Sequence, residues 1–149
     1  MRYFNIFAFC VIFHVWGITE AVDFRDCGTG IGIVQALDII PCNSEPCIIR
    51  IWQRTTFGIT FTTATNINAG EVSVEGGYNS KTKVISLPQS SVCRNLTPPC
   101  PVRGGVSYTY RYTAIVRGYI TPGLLNIRWN LLDTNRRSFV CVQFQAKFV

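Results

Sequence analysis

Apolar and polar residues alternate along most of this 149-residue chain, and six of its seven cysteines lie in the alternating part, between Cys27 and Cys141. Such alternation places one face of a β-strand in a core and the other face in water. Disulfides persist in oxidising compartments, where small domains use them to supplement a limited core. Together the two features predict a small, secreted, all-β domain that is cross-linked by disulfides.

The first residues have the pattern of a secretory signal peptide. Arg2 is followed by a mostly apolar stretch over Ile6–Trp16 and then by the small residues Gly17, Thr19 and Ala21. The apolar stretch is shorter than the ~20 residues that a membrane-spanning helix needs. Cleavage after Thr19 or after Ala21 fits this pattern, and we favour Thr19. We therefore divide the chain into a signal peptide over residues 1–19 and one domain over residues 20–149.

Period-two alternation and turn residues predict seven or eight short strands in the mature chain. The alternation is clearest over 57–62, 71–79, 108–117 and 126–131, and it is noisier over 31–40, 47–52 and 140–148. In the first noisy segment we place Ile33, Leu37 and Ile39 toward the core. The pattern predicts an antiparallel sandwich or barrel.

Six cysteines allow 15 pairings, and sequence alone does not choose among them. Cys42 and Cys47 bracket a short turn, and Cys93 and Cys100 bracket a Pro-rich loop, so local pairing is easy for both. That choice would leave Cys27 to meet Cys141. A metal site is not expected, because the mature chain has no histidine and no CxxC pair.

Little in the mature chain could carry catalysis or hold a cofactor, so we predict no enzyme and no cofactor. Without histidine, no side chain has an ordinary pKa near neutrality. The carboxylate pairs Asp23/Asp26 and Glu71/Glu75 lie in patterns typical of a solvated surface. The chain has 14 Lys+Arg against 8 Asp+Glu, which suits an anionic partner. Nucleic acid is not expected, because the chain is secreted and its arginines are scattered.

Several short motifs of the mature chain are shared with a known family. They are Val22-Asp23-Phe24-Arg25-Asp26-Cys27-Gly28, Pro41-Cys42, Pro46-Cys47, Cys100-Pro101, Tyr108-Thr109-Tyr110, Trp129-Asn130-Leu131 and Cys141. With these motifs the chain resembles the secreted lipid-recognition (ML) domain family, and most closely its Niemann-Pick type C2 branch, which includes the mite group-2 allergens. The resemblance covers essentially the whole mature chain.

The resemblance implies an immunoglobulin-like β-sandwich of two antiparallel sheets with a hydrophobic lipid cavity between them. It also implies the bridges Cys27–Cys141, Cys42–Cys47 and Cys93–Cys100. By strand matching, we expect the cavity wall to include Ile39, Ile49, Phe57, Ile59, Phe61, Val74, Val116, Trp129, Val142 and Phe144. The entrance is expected between Val84–Pro88 and Gly118–Pro122, with Ile85 and Ile120 at its mouth.

Two departures from the sterol-binding branch affect the ligand. Where that branch has a phenylalanine at the mouth this chain has Ile85, and where it has a tyrosine this chain has Ile120 or Thr121. We therefore expect an apolar mouth without an aromatic gate. A rigid sterol gains from flat aromatic contact, whereas a flexible acyl chain needs only apolar volume. Sterol is the family's default ligand, and fatty acid or another small hydrophobic molecule is its competitor here.

The function expected from the resemblance is sterol or small-lipid transport by a monomer. Its partners would be an anionic membrane surface, with Arg117 near the contact, or a membrane sterol transporter. The alternatives are a lipid pattern-recognition module of the lipopolysaccharide-binding type and an extracellular carrier of fatty acids or semiochemicals. We expect secretion, with the lysosome as the alternative destination. The sequon at Asn95 would carry a glycan on an exposed loop.

Overall fold

A computed structural model describes residues 22–149, so the predicted signal peptide over residues 1–19 lies outside the described residues. This part of the chain forms ten strands and one short 3-10 turn, Cys93–Asn95. The strands are β1 Arg25–Asp26, β2 Gly32–Ile40, β3 Cys47–Ile49, β4 Arg54–Thr63, β5 Ala69–Tyr78, β6 Lys81–Ile85, β7 Leu96–Thr97, β8 Ser107–Ile115, β9 Gly123–Asp133 and β10 Ser138–Phe148. Within residues 22–149, no helix is long and apolar enough to cross a membrane.

The strands form two sheets, which we name sheet A and sheet B. Sheet A has the order β1-β10-β9-β5-β6, and β3 also pairs with β10. Sheet B has the order β2-β4-β8-β7. All pairs are antiparallel except β3 with β10, which is parallel. The prediction of an all-β fold with two antiparallel sheets is therefore confirmed.

The inner faces of the two sheets carry the apolar residues that alternation predicted. Phe57, Ile59 and Phe61 of β4 and Trp129 and Leu131 of β9 are all buried. Tyr108, Tyr110 and Tyr112 of β8 are buried in the same way, as are alternate residues of β10. Since the polar residues between them face water, each sheet has one face that only an apolar partner can cover.

The inward placement of Ile33 is wrong, because the alternation changes phase within β2. Pairing between β2 and β4 shifts register between Val34 and Ala36, as at a β-bulge. Before the shift Val34 is buried and Ile33 is 65% exposed, whereas after it Leu37 and Ile39 are buried as predicted. A bulge adds one residue to a strand. From that residue onward, the positions that face the core and the positions that face water are exchanged.

The structure has ten strands in residues 22–149 where seven or eight were predicted. Two of the three strands that alternation did not reveal, β1 and β7, are two residues long, which is too short to show a period. The third is β6, an edge strand with the sequence KTKVI, in which alternation is masked by lysines. Charged residues of this kind are typical of an edge strand, because they discourage pairing with another chain.

The three predicted disulfides are confirmed. Cys27 is bonded to Cys141, Cys42 to Cys47 and Cys93 to Cys100. The first bridge joins β10 to the segment that follows β1, over a sequence separation of 114 residues. Because disulfides form and persist in oxidising compartments, this pattern indicates a protein of the secretory pathway.

The sequon asparagine lies in a more ordered environment than the exposed loop that was predicted. Asn95 ends the 3-10 turn and is half-buried, and the sequon threonine, Thr97, belongs to β7. The Asn95 side-chain amide donates a hydrogen bond of 3.4 Å to the Ser91 carbonyl. A glycan on Asn95 remains a prediction.

The turn between β9 and β10 is organised around the carboxylate of Asp133. Its Oδ1 atom accepts hydrogen bonds from the backbone N–H groups of Asn135, at 2.8 Å, and Arg137, at 2.9 Å. The Arg137 side chain also lies 3.3 Å from the carboxylate. The backbone hydrogen bond from Arg137 is the main cause that holds the pKa of Asp133 below its ordinary value, although burial acts in the opposite direction.

We expect the long disulfide to stabilise the fold more than the short ones. In the chain-entropy model, replacing Cys27 and Cys141 with alanine should lower the free energy of unfolding by about 4–5 kcal/mol, against about 2 kcal/mol for Cys42 and Cys47. Urea denaturation of the two double variants under oxidising conditions measures the difference. Equal losses in the two variants would contradict the loop-closure explanation.

We expect Asp133 to make stability depend on acid pH. A lowered folded pKa means that the stabilisation is fully present above the unfolded pKa of about 3.9 and is lost as pH falls through the folded value. Asp133→Asn should therefore be less stable than the wild type at neutral pH, and the difference should shrink toward pH ~2. Urea denaturation at several pH values tests this, with the exposed Asp38→Asn as control. A difference that is constant with pH would contradict it.

Candidate functional site

The two ends of the sandwich are packed differently. At one end Phe61 stacks on Tyr108, with ring centroids 5.9 Å apart, and meets Phe139 edge-on at 5.9 Å. An added Cβ at Gly32 would collide with the Phe139 carbonyl, so β2 and β10 are in close contact there. We call this the closed end. Because the closed end is tightly packed, space between the sheets is found at the opposite end, which we call the open end.

A small apolar space, the inner cavity, lies between the sheets at that opposite end. Its volume is about 60 Å³. Phe57 and Tyr112 approach it from sheet B, and Val74 and Trp129 approach it from sheet A. The rest of the lining comes from β6, β8, β9, β10 and two loop segments, and consists of Ile85, Ser86, Leu87, Pro88, Ala114, Ile115, Val116, Arg117, Tyr119, Ile120, Ile127 and Phe148.

A second space, the outer groove, lies beside the β5–β6 hairpin and has a volume of about 240 Å³. Ile85, Tyr119 and Ile120 line both the inner cavity and the outer groove. These three side chains therefore stand where the two spaces meet. The remaining lining of the groove is Gly76, Tyr78, Lys81, Lys83, Val84, Thr121 and Leu125.

Half of the predicted wall and mouth residues lie around the inner cavity, and the other half are packed in the core. Those that line the cavity are Phe57, Val74, Ile85, Val116, Ile120 and Trp129. Those that are buried without lining it are Ile39, Ile49, Ile59, Phe61, Val142 and Phe144. Both predicted entrance segments contribute to the lining, through Ile85–Pro88 and through Tyr119 and Ile120. In this conformation most of the space between the sheets is filled by side chains.

The mouth carries an aromatic side chain that sequence reasoning missed. Tyr119 is 55% exposed, and its hydroxyl donates a hydrogen bond of 3.1 Å to the Ser86 carbonyl. This bond joins the loop after β8 to the segment after β6. The expectation of a mouth without an aromatic side chain is therefore wrong: Tyr119 lines both spaces and directly precedes the two positions that were compared, Ile120 and Thr121.

Positive side chains surround the mouth. Lys81 and Lys83 line the outer groove, and Arg117 lines the inner cavity. Among the described residues none of the three makes an ion pair with a carboxylate, and neither space is lined by Asp or Glu. An anionic group at the mouth would therefore meet uncompensated positive charge.

Aromatic side chains from both sheets form a cluster beside the inner cavity. The Trp129 ring lies 5.1 Å from Phe57, 6.0 Å from Tyr112 and 6.2 Å from Tyr110, measured between ring centroids. Burial raises the pKa of Tyr110, and to a smaller extent the neighbouring Tyr112 does as well. Burial also raises the pKa of Tyr112, against the effect of the Gln89 backbone. Both hydroxyls are therefore neutral at physiological pH.

One carboxylate of each predicted pair has a structural role, and none of the four lines the inner cavity. Asp26 accepts hydrogen bonds from the backbone N–H groups of Gly28 and Val34, at 2.8 and 3.0 Å. Glu71 lies 3.8 Å from the Arg136 guanidinium. Over residues 22–149 there is no group of three or more His, Cys, Asp or Glu side chains that could hold a metal ion.

The sequence from residue 21 to residue 148 matches the family model of the ML domain. This chain belongs to the ML domain family. The match covers nearly all of the described residues, including both sheets and the three disulfides. The ML fold seen here is thus the framework on which the inner cavity and the outer groove are built.

Relatives of this ML domain extend over most of its length. It is 24% identical over 143 residues to the NPC intracellular cholesterol transporter 2 of Bos taurus, covering 96% of this chain and 95% of that protein. It is 27% identical over 130 residues to the NPC intracellular cholesterol transporter 2 homolog a of Drosophila melanogaster, covering 85% and 87%. It is 23% identical over 130 residues to the ecdysteroid-regulated 16 kDa protein of Manduca sexta, covering 86% and 89%.

Two solved structures share the fold. A Niemann-Pick type C2 protein from the Japanese carpenter ant superposes with a TM-score of 0.76 at 23% identity, over 85% of this chain and 99% of that one. Chicken MD-1, solved in complex with lipid IVa, superposes with a TM-score of 0.51 at 15% identity, over 82% and 85%. At these identities the two structures support the fold alone.

We expect the Tyr119 hydroxyl to hold the mouth closed. Tyr119→Phe removes the hydrogen bond to Ser86, so amide hydrogen exchange over residues 84–88 and 117–121 should become faster. The free energy of unfolding should change by less than about 1 kcal/mol, because the bond is solvent-exposed. Tyr78→Phe, on the other side of the outer groove, is the matched control. Unchanged exchange in Tyr119→Phe would show that the bond does not restrain the mouth.

Proposed function

We propose that this ML domain is a non-enzymatic lipid carrier that takes the apolar part of one lipid between its two sheets. The observation that supports this most directly is the pair of adjacent spaces, which share three lining residues. An apolar inner cavity lies behind Ile85, Tyr119 and Ile120, and a larger outer groove lies in front of them. An amphiphile would place its apolar part in the inner cavity and its polar group in the outer groove.

The carrier must open to bind. Ligand sites usually measure about 300–1,000 Å³, whereas the inner cavity measures about 60 Å³. The packed wall residues Ile39, Ile49, Ile59, Phe61, Val142 and Phe144 would be uncovered as the sheets separate, so that lipid replaces contacts between the sheets. Removing ~350 Å² of apolar ligand surface from water contributes about 9 kcal/mol. Separating the sheets and immobilising the ligand offset part of this gain.

Sterol and fatty acid are both candidate ligands. The relatives named as cholesterol transporters favour sterol, and the Tyr119 ring offers a flat surface to it. Lys81 and Lys83 on the outer groove favour an anionic head group such as a carboxylate.

Lipopolysaccharide, the ligand of the pattern-recognition alternative, has several acyl chains and needs a much wider opening. Small neutral semiochemicals would use the inner cavity alone.

The proposed carrier is secreted as a monomer, after cleavage of residues 1–19, and acts outside the cell. Lysosomal delivery would require a glycan address, and Asn95 would carry it. Transfer would occur by transient contact of the mouth with an anionic membrane surface or a membrane sterol transporter. Lys81, Lys83 and Arg117 surround the mouth and would make that contact.

We expect a side chain that fills the inner cavity to abolish lipid binding. Ala114 lines the cavity from β8, and the preceding residue, Thr113, is exposed on the opposite face of the same strand. Ala114→Trp should weaken the binding of a fluorescent fatty acid and of a fluorescent sterol at least ~10-fold, because the indole occupies the space that the lipid enters. Thr113→Trp is the matched control.

Both variants and the wild type are titrated with fatty acid, sterol and lipopolysaccharide, and thermal unfolding confirms that they are folded. Equal binding by Ala114→Trp and Thr113→Trp would place the lipid elsewhere on the protein. Failure of the wild type to bind any of the three lipids would overturn the carrier proposal. Binding of lipopolysaccharide alone would favour the pattern-recognition alternative.

We expect transfer of lipid to anionic vesicles to depend on the positive side chains at the mouth. Exposed charges are screened over about 10 Å at 0.1 M salt, so transfer should slow as salt rises. The triple variant Lys81→Gln, Lys83→Gln, Arg117→Gln should transfer slowly at low salt and show little further effect of salt. Replacing Arg128 and Lys147, on the outer face of sheet A, with glutamine is the control. Transfer that is independent of salt would contradict the docking proposal.

A further inference from the structure

Two polar atoms of the aromatic cluster are buried with no hydrogen-bond partner among the described residues. They are the hydroxyl oxygen of Tyr110 and the indole nitrogen of Trp129. Tyr110 is fully buried and Trp129 is 3% exposed, so solvent does not reach either side chain freely. Polar groups in protein interiors are nearly always paired, and each exception calls for an explanation.

The hydroxyls of two other tyrosines, Tyr108 and Tyr119, are paired. The Tyr108 hydroxyl accepts a hydrogen bond from the Arg103 backbone N–H at 2.8 Å and donates one to the Pro101 carbonyl at 3.1 Å. The Tyr119 hydroxyl donates to Ser86. The fold can therefore satisfy an aromatic hydroxyl where the group serves structure. Trp129, which has no partner, lines the inner cavity, and Tyr110, which also has none, is the next inward-facing residue of β8 before the cavity-lining Tyr112.

The position and chemistry of the two groups point to a ligand. Trp129 lines the inner cavity on sheet A. Tyr110 of sheet B does not line the cavity but packs against Trp129, with their ring centroids 6.2 Å apart. The indole N–H is a donor only, and the tyrosine hydroxyl can donate or accept. The group that complements this pair is an oxygen with free lone pairs, such as a hydroxyl or a carbonyl. A purely hydrocarbon ligand would leave both polar groups unpaired.

We infer that the lipid carries an oxygen at the end that enters the sandwich, and that this oxygen accepts a hydrogen bond from Trp129 Nε1, with the Tyr110 hydroxyl as a second partner. The inference rests on the proposed lipid-carrier function and narrows its ligand class. The ligand would be an acyl chain or a sterol that is oxygenated at the buried end, in addition to any polar group at the mouth.

A bound water is the competing explanation. A cavity of about 60 Å³ has room for roughly two water molecules. If water satisfies the indole N–H permanently, the lipid needs no buried oxygen and the indole does not affect which lipid is preferred. The two explanations therefore differ in ligand preference and not in whether lipid binds.

The test compares lipids that differ only at the buried end. One pair is a long-chain fatty acid and its ω-hydroxy derivative, and the other is a sterol and its analogue hydroxylated at the end of the side chain. Residues 20–149 of the wild type should bind the hydroxylated member of at least one pair ~10-fold more tightly. Trp129→Phe keeps an aromatic ring but removes the N–H, so it should remove that preference while changing the affinity for the unsubstituted lipid less than ~3-fold.

Trp52→Phe is the matched control, because Trp52 is exposed and lines neither space. It should keep the preference for the hydroxylated lipid. Among residues 20–149 it also leaves Trp129 as the single tryptophan. The indole emission of this variant should shift differently with the hydroxylated and the unsubstituted lipid. Tyr110→Phe, which deletes only a hydroxyl, gives a second measure if Trp129→Phe does not fold.

The outcomes separate this inference from the proposed function. Tighter binding of the unsubstituted lipids, unaltered by Trp129→Phe and by Tyr110→Phe, would overturn the inference and leave the carrier proposal standing. Absence of binding for all four lipids would overturn the carrier proposal itself. A hydroxyl preference that survives both substitutions would show that other groups select the ligand, and would also overturn the inference.

Discussion

The packing of two apolar sheet faces against each other is the interaction on which the rest of this structure depends. Alternation along β4, β8, β9 and β10 gives each sheet one face that must be shielded from water. In the described state that shielding comes from the other sheet, and at the open end it centres on Trp129 with Phe57, Tyr110 and Tyr112. A lipid between the sheets would shield the same faces, so the force that folds the domain is also the force that would bind its ligand.

The two ends of the sandwich divide stability and binding between them. At the closed end, tight aromatic packing and the Asp133 turn hold the strands together, and the Cys27–Cys141 bridge is attached to β10 two residues after Phe139. At the open end Ile85, Tyr119 and Ile120 meet at the mouth, and an exposed hydrogen bond from Tyr119 to Ser86 joins its two segments. Because the second set of contacts is weaker, sheet separation should begin at the mouth, while the closed end keeps the strands in register.

Alternation predicted the buried faces of β4, β8, β9 and β10, because the period of a strand depends only on which residues must avoid water. It failed at Ile33, since a register shift between Val34 and Ala36 is a property of strand pairing that a single strand does not reveal. It also missed β1, β6 and β7, which are short or charged, and the position of Tyr119 in a loop without periodicity. The unpaired polar atoms of Tyr110 and Trp129 could not be predicted from the sequence, because whether a buried polar group has a partner depends on contacts between the two sheets.

The central claim is that the lipid lies between the sheets and that the sheets separate to admit it. The most direct measurement is an experimental structure of the domain mixed with the lipid that it binds best. The account predicts lipid density bounded by Phe57, Tyr112 and Trp129, and rings from opposite sheets that lie farther apart than the 5.1 Å between Phe57 and Trp129 here. Lipid density confined to the outer groove, with that distance unchanged, would contradict the claim.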